Sequence, residues 1–363
     1  MRIAQVAPLY ESVPPRHYGG TERVVSYLTD ALVDLGHDVT LFASGDSVTR
    51  ARLEAVVPQR LWGSAECVDT MAHHVLLLER VMAAAWRFDV IHFHIDYLHF
   101  PLSRGMRLPH VTTLHGRLDL PDLVPLFREF ADMPVVSISD AQRRPLPWVN
   151  WVGTVHHGLP PDLYTRSAGL GDYLAFVGRI SPEKRADRAI AIARRAGVPL
   201  KIAAKIDPVD RGYFEREIQP LLNGPLVEYL GELDDHGKQQ LLCGARALLF
   251  PIDWPEPFGL VIIEALASGT PVVAWPCGSV PELVDDGVTG YIVDDVEDAA
   301  RAVDAARRLS RWRCRHVFES RFTAGRMAHD YVRIYERAIR REAGHFADTD
   351  QGQVITPPES RAS

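Results

Sequence analysis

Residues Pro255–Ala265 read Pro-Glu-Pro-Phe-Gly-Leu-Val-Ile-Ile-Glu-Ala, and the rest of the chain is organised around them. Proline fixes its own φ and disfavours helix in the residue before it, so Pro255 and Pro257 predict an extended entry. Gly259 allows a ligand to come close to bare backbone. From Leu260 onwards the residues favour a buried, apolar helix. The stretch therefore predicts a loop that turns into a helix at Gly259.

Two carboxylates flank this turn, Glu256 before the helix and Glu264 about two turns into it. At ~1.5 Å per residue they lie roughly 10–12 Å apart. A helix N-terminus offers free N–H groups to an anion, and carboxylates accept hydrogen bonds from hydroxyls. The arrangement fits a sugar, a diphosphate and a ribose laid in a row. The alternative is a buried helix whose two glutamates are solvated.

The length and composition are those of a globular chain long enough for two domains. It has 363 residues, of which 47% are hydrophobic and 24% charged. The net charge of −7 argues against nucleic acid as a partner. The four cysteines form no Cys-x-x-Cys pair, as expected for reduced thiols in a cytoplasmic protein. A strand pattern begins at Ile3 and no apolar run approaches about eighteen residues, so we expect neither a signal peptide nor a membrane span.

The first part of the chain alternates between short apolar runs and helical patterns. Gly19-Gly20-Thr21-Glu22 opens a helix that runs to about Leu35, and a second helix is predicted over Val68–Arg87. The predicted strands are Ile3–Val6, Val39–Ala43, Val56–Val57, Val90–Phe93, Val111–Leu114 and Val135–Ile138. Such alternation predicts a parallel sheet with helices on both faces.

A second series follows a glycine- and proline-rich stretch near residues 157–170. Its predicted strands are Tyr173–Val177, Leu200–Ala204, Val227–Leu230, Ala247–Phe250, Pro271–Ala274 and Tyr291–Val293. Its predicted helices are Pro182–Ala196, Gly212–Leu222, Lys238–Cys243, Leu260–Leu266, Val280–Val284, Glu297–Leu309 and Thr323–Arg341. We expect two α/β domains, residues 1–165 and 166–322, with ligands at the carboxyl ends of both sheets. The polar tail 344–363 is predicted to be disordered.

Arg179 and Lys184 flank the first turn of the second half. If both side chains point over the strand ends, a fork of guanidinium donors and an ammonium charge suit a diphosphate. Ser181-Pro182-Glu183 is also an ordinary helix start. The alternative is therefore that Lys184 is a residue of the first helical turn without a role in binding.

Two features of the first half point to the same cleft. Gly19-Gly20 precedes a helix, where backbone amides can approach a phosphate, although an ordinary tight turn explains the pair equally simply. His115 follows a predicted strand, and a neutral imidazole there can hydrogen-bond a sugar hydroxyl. The alternative is a loop histidine without a role.

A metal site is one interpretation of His92, His94, Asp96 and His99. His92 and His94 point to one face of a strand, as metal ligands can. The competing interpretation, which we favour, is a strand end whose imidazoles are hydrogen-bonded locally. The pairs Asp285-Asp286 and Asp294-Asp295 lie in turn-like contexts and do not form an Asp-x-Asp metal clamp. We therefore expect no metal, with a diphosphate neutralised by Arg179 and Lys184.

Two basic patches could contact anionic lipid or an anionic acceptor. One contains Arg143, Arg144, Trp148 and Trp151, and the other is residues 307–315. Solvated surface is the alternative that we favour.

In combination these motifs resemble the retaining glycosyltransferases of sequence family four, over roughly residues 1–340. The run from Glu256 to Glu264 is similar to the family's Glu-x7-Glu motif, and Phe176-Val177-Gly178-Arg179 with Lys184 resembles its strand-turn signature. The other matching segments are Tyr18–Glu22, Leu114–Gly116, His157–Leu159, Gly269–Val273 and Gly278–Glu282. The resemblance implies the GT-B fold: two Rossmann-like doubly wound domains facing each other across a cleft, with the final helix (323–341) crossing back onto the first domain.

The resemblance also implies transfer of a hexose from a nucleoside diphosphate sugar to an acceptor hydroxyl, with retention at the anomeric carbon, no required metal and no cofactor. UDP-glucose and GDP-mannose are both plausible donors. Arg179 and Lys184 would hold the diphosphate, Glu264 the ribose, and His115 the sugar. The remaining implied contacts are Glu256 with the amides of Phe258, Gly259 and Leu260 for the donor sugar and its phosphate, Gly19 or Gly20 for the phosphate, and Gly231-Glu232 for the base.

One departure concerns the second strand of the second half, where family members commonly have a glycine. Here the strand ends Ile202-Ala203-Ala204-Lys205, so Lys205 is either an added cation for the donor or a surface residue. Two other functions fit the same residues: a nucleotide-sugar epimerase on this fold, and a two-lobed protein that only binds a nucleotide sugar. We expect a cytoplasmic protein that could contact a membrane peripherally through the basic patches. The sequence predicts neither the acceptor nor the oligomeric state.

Overall fold

The computed structural model describes residues 1–16, 19–64, 66–106, 108–166 and 171–350, with side chains described up to residue 343. The strands are β1 (Arg2–Val6), β2 (Asp38–Ser44), β3 (Arg52–Val57), β4 (Val90–Phe93), β5 (His110–Thr113), β6 (Val135–Ser137), β7 (Trp151–Thr154), β8 (Tyr173–Arg179), β9 (Leu200–Lys205), β10 (Val227–Gly231), β11 (Ala245–Phe250), β12 (Val272–Ala274) and β13 (Gly290–Ile292). The α-helices are α1 (Gly20–Asp34), α2 (Thr70–Ala84), α3 (Phe100–Ser103), α4 (Leu123–Glu129), α5 (Ala186–Ala196), α6 (Arg211–Tyr213), α7 (Asp235–Gly244), α8 (Leu260–Ala267), α9 (Val280–Leu283), α10 (Val296–Ala305), α11 (Arg311–Arg321) and α12 (Ala324–Asp350).

Within these described ranges the first domain holds a seven-stranded parallel sheet in the order β3-β2-β1-β4-β5-β6-β7. Ile3 of β1 pairs with Val39 on one side and with Val90 on the other. The central strands are buried along their length, because helices cover both faces, and this is why they read as continuous apolar runs. The strand order reverses direction between β1 and β4, and such a switch point leaves a crevice at the carboxyl ends of the two strands.

The second domain repeats this design with a six-stranded parallel sheet, again counted over the described residues, in the order β10-β9-β8-β11-β12-β13. Its switch point lies between β8 and β11. The loop after β8 carries Lys184, and the loop after β11 carries Glu256. Two doubly wound sheets with facing crevices confirm the predicted GT-B architecture.

Two segments join the domains and run side by side. Leu159 donates its N–H to the carbonyl of Phe322 at 2.9 Å and accepts from the N–H of Ala324 at 2.8 Å. Gly158 is required here, because a Cβ at this position would lie 2.2 Å from the carbonyl oxygen of Thr323. Helix α12 then packs on the first domain, where Tyr331 and Tyr335 join its core.

Several element boundaries differ from the sequence predictions for identifiable reasons. The predicted helix 182–196 is a short 3₁₀ turn followed by α5, because Arg185 between them is left-handed with φ 55°. The predicted helix 212–222 is a series of short α, π and 3₁₀ segments. The prediction of a disordered tail is wrong for residues 344–350, which continue α12, and its remainder, 351–363, lies outside the described residues. Strand β7 and helices α3, α4 and α11 were not predicted.

Two arginines of the basic stretch 307–315 have a structural role. It contains the first turn of α11, in which Arg311 donates to the carbonyls of Ala245 and Cys243, both at 2.9 Å. Arg315 likewise donates to the carbonyls of Tyr164 and Ala267 at 2.6 and 2.8 Å. These two arginines satisfy loop carbonyls, so solvated surface was the wrong interpretation for them. Contact of either basic patch with lipid stays a prediction, and among the described helices none has the length and apolar character needed to cross a bilayer.

Candidate active site

A cavity of about 720 Å³ lies between the carboxyl ends of the two sheets, where the switch points face each other. It brings together residues that are far apart in the sequence and that the sequence singled out. The predicted site residues that line it are Gly19, Gly20, His115, Arg179, Lys184, Lys205, Glu232, Glu256, Phe258, Gly259, Leu260 and Glu264. Gly231 is the exception: it ends β10 with φ 74° and turns the chain so that Glu232, not Gly231, reaches the cavity.

The loop that leads into α8 is held from behind by a second motif. Ser279 donates its N–H to the carbonyl of Glu256 at 3.0 Å and its hydroxyl to the carbonyl of Phe258 at 2.6 Å. A Cβ on Gly278 would lie 2.2 Å from the Glu256 carbonyl, so only glycine allows this approach. From the first domain, Ser139 donates to the carbonyl of Pro257 at 2.7 Å. The sequence motif at 278–279 therefore positions the loop, a role that its residue types alone did not reveal.

Two helix N-termini meet at the cavity. Gly259 adopts the left-handed conformation with φ 86° and starts α8, as the sequence predicted. Gly20 starts α1 in the other domain, and a Cβ there would lie 3.6 Å from Leu260. The positive ends of both helices thus face the same space, which favours negative charge there.

Lys184 and Glu256 form an ion pair on the second-domain wall. The indole N–H of Trp254 also donates to the Glu256 carboxylate at 3.0 Å, and the Lys184 ammonium lies 4.9 Å from the centre of the Trp254 ring. Both charged side chains are mostly buried, so the interpretation of Glu256 as a solvated helix residue is wrong. Lys184 reaches the cavity because the left-handed Arg185 ends its 3₁₀ turn.

Arg179 lies beside Lys184 and also faces carboxylates. Its guanidinium donates to Glu183 at 3.2 Å and to Asp207 at 3.3 Å, and Lys205 shares Asp207 at 2.8 Å. Burial by itself raises the pKa of Asp207, but the hydrogen bonds and charges of Lys205 and Arg179 outweigh it, so the pKa is lowered. A diphosphate that binds here would replace carboxylate partners that already hold the cations in place.

Glu264 is buried in a charge network that the sequence did not indicate. Its carboxylate accepts from the ammonium of Lys238 at 2.9 Å, and Lys238 also lies 3.1 Å from Asp235. Asp235 in turn pairs with Arg23 of α1, so the network spans both domains. Burial is the largest single influence and lowers the pKa of Lys238. The charges of Glu264 and Asp235 together with the hydrogen bond to Glu264 outweigh it, and the net shift is upward. Glu264 is only 4% exposed, which excludes the solvated alternative for this residue as well.

His115 ends a directional chain of hydrogen bonds. Gln5 donates its amide N–H to the Tyr335 hydroxyl at 3.1 Å, so its carbonyl oxygen must accept from Nε2 of His94, 2.8 Å away. Nδ1 of His94 therefore accepts from Nε2 of His115 at 2.9 Å. This leaves Nδ1 of His115 as a buried acceptor with no hydrogen-bond partner in the structure. Burial lowers the pKa of His115 to about 3, so the ring is neutral and its Nδ1 is suited to accept from a hydroxyl.

Two further residues on this wall were missed as site residues. His157 stacks on His115 with ring centroids 5.4 Å apart, and its Nδ1 is also buried without a partner. Asp96 has φ 50°, a strained conformation for a non-glycine residue, and its carboxylate accepts from the backbone N–H of His115. Although Asp96 is open to the cavity, desolvation deep in the cleft raises its pKa to about 6.

The structure argues against the metal interpretation of the histidine cluster. The ring nitrogens of His92 contact Tyr335 and Thr113, both at 2.7 Å, and those of His99 contact Ser103 and Thr112. No group of three or more His, Cys, Asp or Glu side chains within the described ranges is arranged to hold a metal ion.

Family models match both halves of the chain. "Glycosyltransferase Family 4" matches residues 18–197, and "Glycosyl transferases group 1" matches residues 168–316, so the two together span most of the chain. Two curated relatives are a 41.2 kDa uncharacterized protein in the cps region of Klebsiella pneumoniae, 31% identical, and the D-inositol 3-phosphate glycosyltransferase of Corynebacterium kroppenstedtii, 32% identical. The alignments cover 45% and 46% of this chain and 46% and 41% of the relatives, so the chain spans less than half the length of either.

Solved structures match over nearly the whole chain. AviGT4, a glycosyltransferase involved in avilamycin A biosynthesis, superimposes with a TM-score of 0.73 at 27% identity, over 94% of this chain and 98% of its own. HepE of Anabaena, solved in complex with UDP and glucose, superimposes with a TM-score of 0.69 at 19% identity, over 93% and 100% of the two chains, and shows the fold alone. From the family matches and this shared architecture, the chain belongs to the group 1 glycosyltransferases of family 4, with the GT-B fold.

Proposed function

We propose that the protein transfers a hexose from a nucleoside diphosphate sugar, with uracil or guanine as the base, to an acceptor hydroxyl with retention of anomeric configuration. The observation that carries this proposal is the cavity between the two switch points, in which the cations of the second-domain wall, two helix N-termini and the buried carboxylates of Glu256 and Glu264 converge. Enzymes that transfer a sugar from such a donor must stabilise a diphosphate leaving group, and this wall concentrates the groups for it.

The donor would lie along the second-domain wall. Arg179 and Lys184 would bind the diphosphate, exchanging carboxylate partners for phosphate oxygens. Glu264, held by Lys238, would accept from the ribose hydroxyls, and the base would lie toward Glu232. Glu256 would accept from the donor sugar once Lys184 turns to the phosphate. The acceptor nitrogen of His115 would take a hydrogen bond from another sugar hydroxyl.

The chemistry proposed is a front-face displacement. The bond from the anomeric carbon to the phosphate oxygen breaks as the acceptor oxygen approaches from the same side. The leaving phosphate oxygen takes the acceptor's proton, and the two cations with the α8 N-terminus stabilise its charge. Glu256 can stabilise positive charge on the sugar ring without acting as a nucleophile. Because the cations neutralise the leaving group, we expect turnover to survive chelation by EDTA.

The comparisons give no support to an epimerase, and membership of a glycosyltransferase family disfavours a protein that only binds. The relatives leave the acceptor open. The corynebacterial relative is named for inositol 3-phosphate, which makes a phosphorylated cyclitol one candidate to test.

The decisive experiment is a donor screen with two readouts. Melting temperature is measured with UDP-, GDP- and ADP-sugars, since a ligand that binds only the folded state raises it. Release of nucleoside diphosphate is then followed with and without acceptors, and NMR of the product reports the anomeric configuration. Acceptor-dependent release with retention is expected. Release without an acceptor and with rearrangement of the sugar would indicate the epimerase, and binding without release would indicate a protein that only binds a nucleotide sugar.

A further inference from the structure

An aromatic shelf forms part of the cavity on the first-domain side. We define the shelf as Tyr10, Trp62, Met71 and His74, all of which line the cavity. The Tyr10 ring lies 5.3 Å from that of Trp62 and 4.7 Å from that of His74. Trp62 and Met71 are 49% and 48% exposed, so the shelf presents open apolar surface inside a cleft. Large apolar side chains left open in a pocket indicate a ligand with an apolar face.

His74 contributes only its ring face to this shelf. Its Nε2 accepts from the N–H of Leu9 at 3.2 Å, and its Nδ1 donates to the carbonyl of Thr70 at 2.8 Å. Both nitrogens are thus occupied by backbone, and burial lowers the pKa of the ring. His74 is therefore a neutral aromatic platform in the range near pH 7 and cannot recognise an anion.

The cations that the first domain brings to the cavity are already committed, as far as the described lining residues show. Arg117 makes two hydrogen bonds of 2.7 Å to Asp119, and Arg23 pairs with Asp235 of the other domain. The imidazoles of His94, His115 and His157 all have pKa values lowered by burial and are neutral. Asp96 adds a carboxylate. A phosphorylated group placed against the described part of this wall would gain a positive partner only by displacing Asp119 from Arg117 or Asp235 from Arg23. It would also lie beside neutral imidazoles and the carboxylate of Asp96, so the loss of its water would be costly.

We propose that the acceptor is an uncharged glycoside whose aromatic aglycone stacks on the shelf, while a hydroxyl reaches Asp96. This inference rests on the proposed function, because it assumes that the donor fills the second-domain wall. It specifies the class of acceptor and distinguishes this chain's first-domain wall from one built for a sugar phosphate.

The test compares three probes that share one sugar. They are 4-nitrophenyl glucopyranoside, methyl glucopyranoside and glucose 6-phosphate, with the galactose and mannose series in parallel. Their dissociation constants are measured by ligand-observed NMR on the full chain saturated with UDP. We expect the nitrophenyl glycoside to bind about tenfold more tightly than the methyl glycoside, the size of one aromatic stacking contact. The sugar phosphates are expected to bind no more tightly than the methyl glycosides.

Variants locate the effect on the shelf. Trp62→Ala is expected to remove the advantage of the nitrophenyl group and to leave binding of the methyl glycoside within about twofold. Trp86→Ala is the matched control, because Trp86 is 79% exposed and does not line the cavity. Met71→Gln gives a second, half-exposed position should Trp62→Ala lower the melting temperature. UDP binding is measured on every sample.

Three results overturn the proposal: tightest binding of a sugar phosphate, no binding of any nitrophenyl glycoside, or equal losses in Trp62→Ala and Trp86→Ala. Failure of the wild-type protein to bind UDP or any of the nucleotide sugars is a different result, and it would contradict the proposed function instead.

Discussion

The two walls of the cavity handle charge in opposite ways. On the second-domain wall, cations and carboxylates form ion pairs: Lys184 with Glu256 and Lys238 with Glu264. On the first-domain wall, neutral imidazoles are hydrogen-bonded in a fixed direction and aromatic rings lie open. An ion pair can exchange a carboxylate for a phosphate at modest cost, whereas a buried neutral ring cannot take up charge without losing its surroundings. The difference suits one wall to a charged ligand and the other to hydroxyls and apolar faces.

Acidification tests the neutrality of the imidazoles in and behind the first-domain wall and has the largest expected effect. Five imidazoles, those of His92, His94, His99, His115 and His157, have pKa values well below 6.5 because they are buried. The unfolded chain takes up protons at these positions below about pH 6.5 and the folded chain does not. Stability is therefore lost as pH falls, by ~1.4 kcal/mol per pH unit for each ring.

Two acids oppose this trend in part. Burial raises the pKa of Glu22 to about 7 and that of Asp96 to about 6, so the folded state binds their protons and gains from acidification. Since the imidazoles outnumber them, we expect the free energy of unfolding, from urea titrations, to fall by several kcal/mol between pH 7 and pH 5. His99→Gln should make the dependence shallower by about one proton. Stability that is flat or rising on acidification would mean that the rings are not neutral.

Removing the cation beside Glu264 tests whether the second-domain wall depends on pairing. Lys238→Met leaves a buried carboxylate without its partner, which typically costs about 3–5 kcal/mol of unfolding free energy. The double variant with Glu264→Gln should recover much of this cost, because it removes the unpaired charge. Lys201→Met is the matched control, since Lys201 pairs with Glu228 near the exposed edge of the second-domain sheet. This substitution should cost at most ~1 kcal/mol of unfolding free energy. Equal losses in the two single variants would contradict the pairing argument.

Lys184→Ala tests whether the same wall stabilises the leaving group. Loss of one preorganised charge at a reacting centre usually lowers the rate on the order of a hundredfold or more. We expect that loss in kcat, measured as acceptor-dependent release of nucleoside diphosphate. The melting temperature should also fall, because Glu256 loses its cation and keeps the indole N–H of Trp254. Turnover equal to that of Lys201→Ala would exclude Lys184 from the reaction.

Lys205→Ala addresses the alternative that the sequence left open. Lys205 lines the cavity and pairs with Asp207, a contact that suits either a donor cation or a residue that only holds Asp207 for Arg179. A donor contact predicts about a tenfold rise in donor KM, the value of roughly one charged hydrogen bond. An unchanged KM for every accepted donor would assign Lys205 to the surface.

The sequence could predict the second-domain wall better than the first-domain wall, and the reason is physical. Arg179 ends β8, and Lys184 and Glu256 lie in the segments that follow β8 and β11, so local pattern places them at the sheet edge. The properties of His115 depend on Gln5 and on Tyr335, which lie 330 residues apart, and no local pattern encodes that contact. The aromatic shelf similarly joins the loop after β1 to helix α2.

The fold shows the same division. Strands buried on both faces are largely apolar, and the order along the chain of the strands that were predicted is correct. Helix α11 was hidden because Cys314 and Phe318 are its buried residues while Arg311 and Arg315 bind carbonyls of other segments. The break at Arg185 is stabilised by ion pairs to Asp187 and Asp253, and Asp253 lies far along the chain. Tertiary partners decided each of these features.

Tyr335→Phe has the smallest expected effect on turnover. It tests what sets the direction of the hydrogen bonds that run from Gln5 through His94 to His115. The Tyr335 hydroxyl accepts from the Gln5 amide and contacts Nδ1 of His92 at 2.7 Å. Without it the amide of Gln5 is free to flip, and His115 no longer has to carry its proton on Nε2. We expect up to about a tenfold loss in kcat/KM, together with ~1–2 kcal/mol of unfolding free energy from the polar groups left unpaired.

Tyr331→Phe provides the matched control for this variant. The Tyr331 hydroxyl contacts Thr113 at 2.8 Å, at the far end of the same series of hydrogen bonds. Loss of this hydroxyl should cost similar stability and leave the Gln5 amide oriented. Nitrogen-15 NMR of the histidine rings distinguishes the two, because it reports which nitrogen of His115 carries the proton. We expect Nε2–H in the wild type and in Tyr331→Phe, and a mixture of tautomers in Tyr335→Phe. If His115 of the wild type were protonated on Nδ1, the direction of the hydrogen bonds between Gln5, His94 and His115 would be the reverse of the one inferred here. The nitrogen that accepts from a substrate hydroxyl would then be lost.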